Sequence, residues 1–559
     1  MAKSKSKAPQ RKGGGRRREA ETTPHAVRAR RVEPVIAPIR VLSDWRFWAI
    51  SAVLVVVTIV AFYPFWNAEF VRWDDPDYVM KNKLLRSWEG LETIWDPTAE
   101  ENQQYYPMVF TSFLLEHRLA GLPAGRDLAD DEAEIFHRTN LVIHLINVAL
   151  VLALIRKFGL PWWVAAAVAA VFAVHPTQVA SVVWVAERKN TLSGFFWLIA
   201  FLLYLRHRRT GGWVAYAGCL AVFVFMLMSK TQTLTFPISI FLIDWALQSR
   251  GRMRPARAPR LVLLILPMLA LGGAAAKITA TVERAQGPSK NYDKLISTPV
   301  QRPFIAANAA WFYAGKFLAP VQLAPVYPKW KASISDPRFI AGLIAWPAAL
   351  LLLLVFWRRM NALVLWGMAH FFIVLGPALG LIPFNYQQYS YVADHFLYLA
   401  CIGGGLALAV AAQRFVETAE ASAGFRRAGV LIVGVGLLSV AVWRTNHESR
   451  YWNDNESFWV RALELNDSRF PGFYNLGNHY RRQNPSQHAK AWPRYKRASE
   501  ISPTNYKSFL MYIGSFAVIK GAAAAVRACD ERLKKEQPGS RMFVLVKDLR
   551  DKYALRARR

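Results

Sequence analysis

Between Trp45 and Trp443 the chain is a succession of apolar runs of about 16–20 residues, separated by short basic or polar turns. Runs of that length match the thickness of a bilayer when coiled as helices, and their repetition predicts an all-α, polytopic membrane protein. Glycines and prolines within the runs are compatible with this, because neighbouring helices can satisfy the backbone groups they free.

The formal net charge of +32 has two common meanings, nucleic-acid binding or the positive-inside bias of a membrane protein. Much of the excess lies in the segment Met1–Arg46 and in the turns Arg206-His207-Arg208-Arg209, Arg250–Arg260, Trp357-Arg358-Arg359 and Arg426-Arg427. All of these turns fall between apolar runs, so the membrane reading is preferred and no nucleic-acid partner is expected. Residues 1–44 have too little apolar content to fold and are expected to form a disordered cytoplasmic tail. Against anionic membrane lipids such a tail gains about 1 kcal/mol per basic residue near the surface. The first run lacks a small-residue cleavage site and is expected to stay as an uncleaved anchor. Cys219, Cys401 and Cys529 supply no disulfide framework.

With the tail inside, alternation of the runs predicts a transmembrane region over 45–443 with about eleven spans. External loops are expected at 67–138, 175–190, 277–302 and 383–395. Phe304–Pro320 is short and contains Asn308 and Lys316, and is expected to be re-entrant or to lie on the surface. Residues 444–559 are expected outside the cytoplasm. Their composition turns polar, and Asn475-Leu476-Gly477, Tyr480, Ala491, Tyr495, Ala498 and Pro503 approach the tetratricopeptide pattern. In that pattern a small residue lets two helices touch and a proline follows the second. An ordinary helical hairpin is the alternative. One or two repeats cannot bury a core alone, so this region is expected to lean on its neighbours.

The loops hold the unusual polar residues. Trp73-Asp74-Asp75 places two adjacent carboxylates near a membrane surface, which costs desolvation and mutual repulsion unless a cation, a proton or solvent relieves it. Tyr106 follows in the same loop, and His137, Asn140 and His144 share one helical face beyond it. The next loops bring His175, then Glu187-Arg188-Lys189, then Lys230, and finally Asp394, His395 and Tyr398. Each has a plainer reading. Asp74 and Asp75 can serve a turn or helix N-cap, His137 and His144 with Asn140 a bridge between helices, Glu187-Arg188-Lys189 a solvated turn, Lys230 a snorkelling span end, and Asp394-His395 a cap. No His-x-x-x-His or Cys-x-x-Cys spacing fixes a metal site, although a divalent metal remains compatible. No glycine-rich phosphate loop indicates nucleotide use. Carboxylates facing the same compartment as several cations suit proton abstraction from a hydroxyl and stabilisation of a departing phosphate.

Taken in order, Phe70-x-x-Trp73-Asp74-Asp75-x-x-Tyr78-x-x-x-Asn82, Tyr105-Tyr106-Pro107, Phe136-His137-x-x-Asn140-x-x-x-His144 and Phe172-x-x-His175-Pro176 form a specific series. Ser181-Val182-x-Trp184-Val185-x-Glu187-Arg188-Lys189, Ser229-Lys230 and Ala393-Asp394-x-x-x-Tyr398-Leu399 continue it. The set resembles the transmembrane-and-tetratricopeptide-repeat O-mannosyltransferase-like family and its bacterial relatives, integral-membrane glycosyltransferases of the GT-C fold. The resemblance implies a polyprenyl-phosphate sugar donor and inverting transfer to a hydroxyl, usually a protein Ser or Thr, outside the bacterial inner membrane. Carried over, Asp74 or Asp75 would be the base. Trp73, Tyr106, His137, His144, His175, Glu187, Arg188, Lys189, Lys230, Asp394, His395 and Tyr398 would be substrate-binding candidates. The C-terminal helices would meet an exported protein acceptor. One departure is local: relatives usually carry Asp-Arg-Tyr where this chain has Asp394-His395-Phe396. The competing expectations are a glycan- or lipid-modifying transferase of the same fold, and, in another class, a transporter or a non-catalytic membrane scaffold.

Overall fold

The structure, a computed structural model, describes residues 40–558 apart from 103, 287–296, 331–332, 334–335, 419–422 and 467–469. The tail expected over residues 1–44 therefore lies almost wholly outside the described residues. Regular structure among the described residues is helical throughout. Six helices are long and apolar enough to cross a membrane by themselves: Trp45–Phe65, Asp130–Lys157, Ala258–Ala285, Phe339–Arg359, Ala400–Glu417 and Gly424–Arg450. A seventh crossing results if Trp162–Val174 and Pro176–Val182, bent by 48°, act as one. The expected eleven also counts Arg188–Thr210, Trp213–Ser229, Phe236–Ser249 and Ala362–Leu375, which are not among those six.

Lipid contact is written on the helix surfaces. Only 11% of the apolar window in Phe339–Arg359 and 6% of that in Gly424–Arg450 is buried by protein. Leu351, Leu354, Ile432 and Leu437 stand exposed along them. Apolar surface this extensive is stable against acyl chains rather than water, and the protein is a multi-pass membrane protein. Within the bundle, Ala362–Leu375 and Ala400–Glu417 cross closely enough that a Cβ on Gly367 would sit 2.6 Å from the Gly403 carbonyl oxygen. Small residues at such crossings let backbones approach and gain dispersion contact.

The connecting segments sort to the two ends of the bundle. At one end Trp162 donates to Asp44 at 3.1 Å, Arg208 to the Arg254 carbonyl at 3.1 Å and Arg250 to Asn361 at 3.2 Å, while Arg209 reaches the Lys157 carbonyl. The basic turns thus gather on one side. Arg188–Thr210 is fastened to Phe236–Ser249 near that end by Asp244, which accepts from Tyr204 at 2.6 Å and pairs with buried Arg208. The motif-bearing loops gather at the other end.

Arg302–Leu318 is a continuous helix packed along Pro337–Phe356, and its Tyr313 hydroxyl accepts the Ala393 N–H at 3.2 Å. It thereby helps to hold the 385–398 segment.

Beyond Arg450 come six helices: Asn455–Leu465, Phe470–Arg482, His488–Ile501, Tyr506–Lys520, Ala522–Leu533 and Arg541–Ala557. Phe458 and Ala462 are buried on the first, and Ala491, Tyr495 and Ala498 on the third. A Cβ on Gly477 would fall 2.8 Å from the Tyr495 ring, so the small residue is what lets Phe470–Arg482 and His488–Ile501 touch. Gly477→Val is expected to cost about 1–3 kcal/mol through overpacking, and a thermal melt of the purified protein that does not shift downward would refute this contact. The first helix leans on the loop after Phe65. Asn455 accepts from the Arg72 N–H at 2.8 Å and donates to the Phe70 carbonyl at 2.9 Å.

Candidate active site

The two adjacent aspartates part company in the fold. Asp75 is fully buried, with Oδ1 accepting the Ala186 N–H at 2.9 Å and Oδ2 the Val71 N–H at 2.8 Å. Both oxygens are thus used to tie the first long loop to the segment before Glu187. Burial pushes its carboxyl up to about 8, against the pull of those two N–H donors, with repulsion from Asp74 added. Asp74 is half-buried, and among the described residues its carboxylate accepts no hydrogen bond. Burial lifts it to about 6, with Lys189 opposing and Glu187 and Asp77 assisting. Neither side chain caps the one-turn helix Pro76–Met80, whose first N–H groups bond instead to the Asp74 main-chain oxygen.

Facing Asp74 is a charged centre around Glu187. Lys189 Nζ lies 2.9 Å from Glu187 Oε1, Lys230 Nζ 3.7 Å from Oε2 and His395 Nε2 3.9 Å from Oε1. All four side chains are buried. Burial alone would raise Glu187, but His395, Lys189 and Lys230 outweigh it and hold the carboxyl at about 2. His395 is itself pushed down to about 3, by burial first and then by the two ammonium groups, against Glu187. Burial and the ammonium groups thus work against a charge on its ring, while two lysines flank Glu187. Lys189 stays protonated well above its ordinary range, because Glu187, Tyr78 and Asp74 outweigh its burial. Lys230 is lowered to about 8 by burial, with Glu187 opposing and Lys189 adding repulsion. The site thus holds one carboxylate inside a pair of ammonium groups and a second, Asp74, beside them.

Three further groups complete the centre. Asn190 donates to Glu187, to Ser181 Oγ at 3.2 Å and to the His395 carbonyl at 3.1 Å, and accepts from Lys230. It is the clamp that sets all three loops in register. The Tyr78 hydroxyl donates to Gln104 and sits 3.4 Å from Lys189 Nζ. Glu283, at the end of Ala258–Gln286, acts electrostatically on both Tyr106 and Lys189. Asn190 and Glu283 escaped the sequence reading. An amide in the first turn of a helix that follows Glu-Arg-Lys, and an acid closing an apolar helix, were the available signals.

Other candidates have different work. Arg188 is completely buried and turned away: it pairs with Glu116, donates to Asn140 at 2.8 Å and to the Phe136 carbonyl at 2.8 Å, and lies over Phe113. His137 spans the Val183 and Glu69 carbonyls at 2.7 and 3.3 Å. His144 joins the Tyr398 hydroxyl to the Ala173 carbonyl at 2.9 and 3.0 Å. His175 bridges Thr177 and the Phe317 carbonyl. Arg188, His137, His144, His175 and Tyr398 hold helices together, and the structure does not bring them to Asp74. Asp394 receives the Tyr327 hydroxyl at 2.8 Å on the far side of His395 and caps nothing. Trp73 stacks on Trp459 at 5.4 Å and meets Tyr389 edge-on, joining the first loop to the C-terminal helices. Among the described residues no group of three or more His, Cys, Asp or Glu side chains is disposed to hold a metal ion.

No family model matches the chain. Its sequence is 28% identical over 165 residues to protein O-mannosyl-transferase TMTC3 of Homo sapiens, covering 28% of this chain and 17% of that protein. For the same protein of Mus musculus the figures are 29% over 177 residues, 30% and 18%. For protein O-mannosyl-transferase Tmtc2 of Drosophila melanogaster they are 28% over 146 residues, 25% and 14%. The chain thus matches less than a fifth of the length of these relatives. Among solved structures, the apo oligosaccharyltransferase of Archaeoglobus fulgidus aligns over 81% of this chain and 60% of its own, with a TM-score of 0.43 and 12% identity. The ordered motifs and the sequence comparisons agree: this polytopic helical protein is similar, over 25–30% of its length, to protein O-mannosyl-transferases.

Proposed function

We propose that the protein is a membrane glycosyltransferase that moves a sugar from a polyprenyl-phosphate donor to a Ser or Thr hydroxyl of an exported protein. The single observation that carries this reading is the open carboxylate of Asp74 beside Lys189, which Glu187 links to Lys230. In the step, the acceptor hydroxyl oxygen attacks the anomeric carbon while Asp74 takes its proton. The bond from that carbon to the phosphate oxygen breaks on the opposite face, the oxygen keeps the electron pair, and configuration inverts. Lys189 and Lys230 stabilise the negative charge on the departing lipid phosphate, and Asn190 and Glu187 hold them in place. Asp75 sets the loop that carries Asp74. The motif loops face outward in this reading, opposite the basic turns.

Transfer from a polyprenyl-phosphate sugar to a Ser/Thr peptide, measured with the protein in liposomes, tests the reaction; no product from any such donor with a well-folded protein would reject it. Its pH profile is a sharper check. The rate is expected to rise through about pH 6 as Asp74 ionises and to fall beyond about pH 8 as Lys230 loses its proton. Lys189 lowers the pKa of Asp74, so Lys189→Met should move the rising limb to higher pH. A limb that stays in place rules out Asp74 as the titrating base.

A further inference from the structure

We infer that the protein carries a separate anion-binding subsite that grips an acidic side chain of the acceptor polypeptide. The inference rests on the proposed transfer to a polypeptide hydroxyl and adds where that polypeptide is held. Between the first long loop and the C-terminal helices lies a cavity of about 110 Å³. Arg72, Lys81 and Arg482 bring three cations to its wall, with Asn475, Asn478 and Trp459 between them. Arg72 is matched by Asp130 at 2.5 Å. Lys81 and Arg482 are exposed and have no ion-pair partner among the described residues. The Asn475 side chain makes no hydrogen bond among the described residues, and Trp459, 1% exposed, has an indole N–H with no partner. The wall therefore offers mostly unanswered donors, which is the complement of a carboxylate.

Position assigns the ligand to the acceptor rather than to the donor lipid. Arg72 and Pro76, two residues either side of Asp74, both line the cavity. A segment anchored there passes close to the proposed base. Trp459 is also the residue stacked on Trp73, so the cavity and the reaction centre share one wall. The other wall is formed by Asn455–Leu465 and Phe470–Arg482, polar helices outside the apolar bundle. A polyprenyl chain belongs among the apolar spans, whereas an extended polypeptide crossing from these polar helices to Asp74 stays outside them. In this region basic residues outnumber acidic ones, which steers an acidic segment toward it.

Fluorescence anisotropy on the full chain in detergent tests this without requiring turnover. The probes are labelled Ser/Thr peptides with one Glu placed at successive positions, and matched peptides with Lys in its place. At least one Glu peptide is expected to bind roughly tenfold more tightly than its Lys counterpart, and Arg482→Glu to abolish or invert that preference. Lys81→Glu, at a second exposed position, should weaken the same peptide. Equal binding of Glu and Lys peptides, or a preference that survives both variants, overturns the proposal. So does an effect of the two variants on binding of polyprenyl phosphate in nanodiscs with none on peptides. Asp74→Asn should retain peptide binding, so loss of the transfer reading and loss of the subsite give different results.

Discussion

Asp74→Asn is expected to lower sugar transfer by about 10²–10⁴-fold, the usual contribution of a positioned general base, while leaving the folded protein intact. The expectation follows from the unequal use of two neighbouring carboxylates. Asp74 has no hydrogen-bond donor among the described residues, so an isosteric amide there removes charge without orphaning a partner. Asp75 accepts two backbone N–H groups from segments 115 residues apart in the chain, Val71 and Ala186. Asp75→Ala should therefore reduce activity through the fold: each orphaned N–H costs roughly 1–3 kcal/mol, and the loop that carries Asp74 loosens. Transfer assays paired with thermal unfolding separate the two. Full activity in Asp74→Asn would reject the assignment, and an unshifted melting temperature in Asp75→Ala would reject the distinction between the residues.

Arg188→Leu should be the most destabilising single change in this region. It strands the Glu116 carboxylate, 9% exposed, without its guanidinium and removes the group that lies over Phe113 and Phe136, and breaking a buried ion pair from one side costs about 3–5 kcal/mol. Asn140 and the Phe136 carbonyl lose a donor as well. Joint replacement, Glu116→Leu with Arg188→Leu, removes the stranded charge and should recover part of the loss. Thermal unfolding in detergent measures both. A double variant no more stable than Arg188→Leu would show that the pair's electrostatics are not what holds the Pro107–Leu119 helix in place.

The regular part of this architecture was legible in advance. Apolar runs mark helices because a backbone in lipid must satisfy its own hydrogen bonds, and the turns that hold Lys157, Arg208-Arg209, Arg250–Arg254 and Asn361 meet one another. Gly477 and Ala491 foretold a close helix pair, since only small side chains permit one. Trp73–Tyr78, Glu187–Asn190, Lys230 and His395 come from distant parts of the chain, and the charged centre contains members of each.

Residue roles within those motifs were not legible. Glu187-Arg188-Lys189 reads as one charged triplet, yet Lys189 reaches Glu187 while Arg188 points to Glu116. Successive residues on a helix differ in direction by about 100°, so neighbours in sequence face different surroundings. The sequence left His137 and His144 open between a substrate contact and a bridge between helices, and the fold gives both the bridge, while His175 joins Thr177 to the Phe317 carbonyl. The chain's own pattern of apolar length and charge decided that it folds as a bundle of membrane helices joined by polar and basic turns, because those are properties of local solvation. Which carboxylate stands open, which cations flank it and which histidines are merely structural was decided only by tertiary contact, because hydrogen-bond donors and dielectric surroundings come from residues tens to hundreds of positions away.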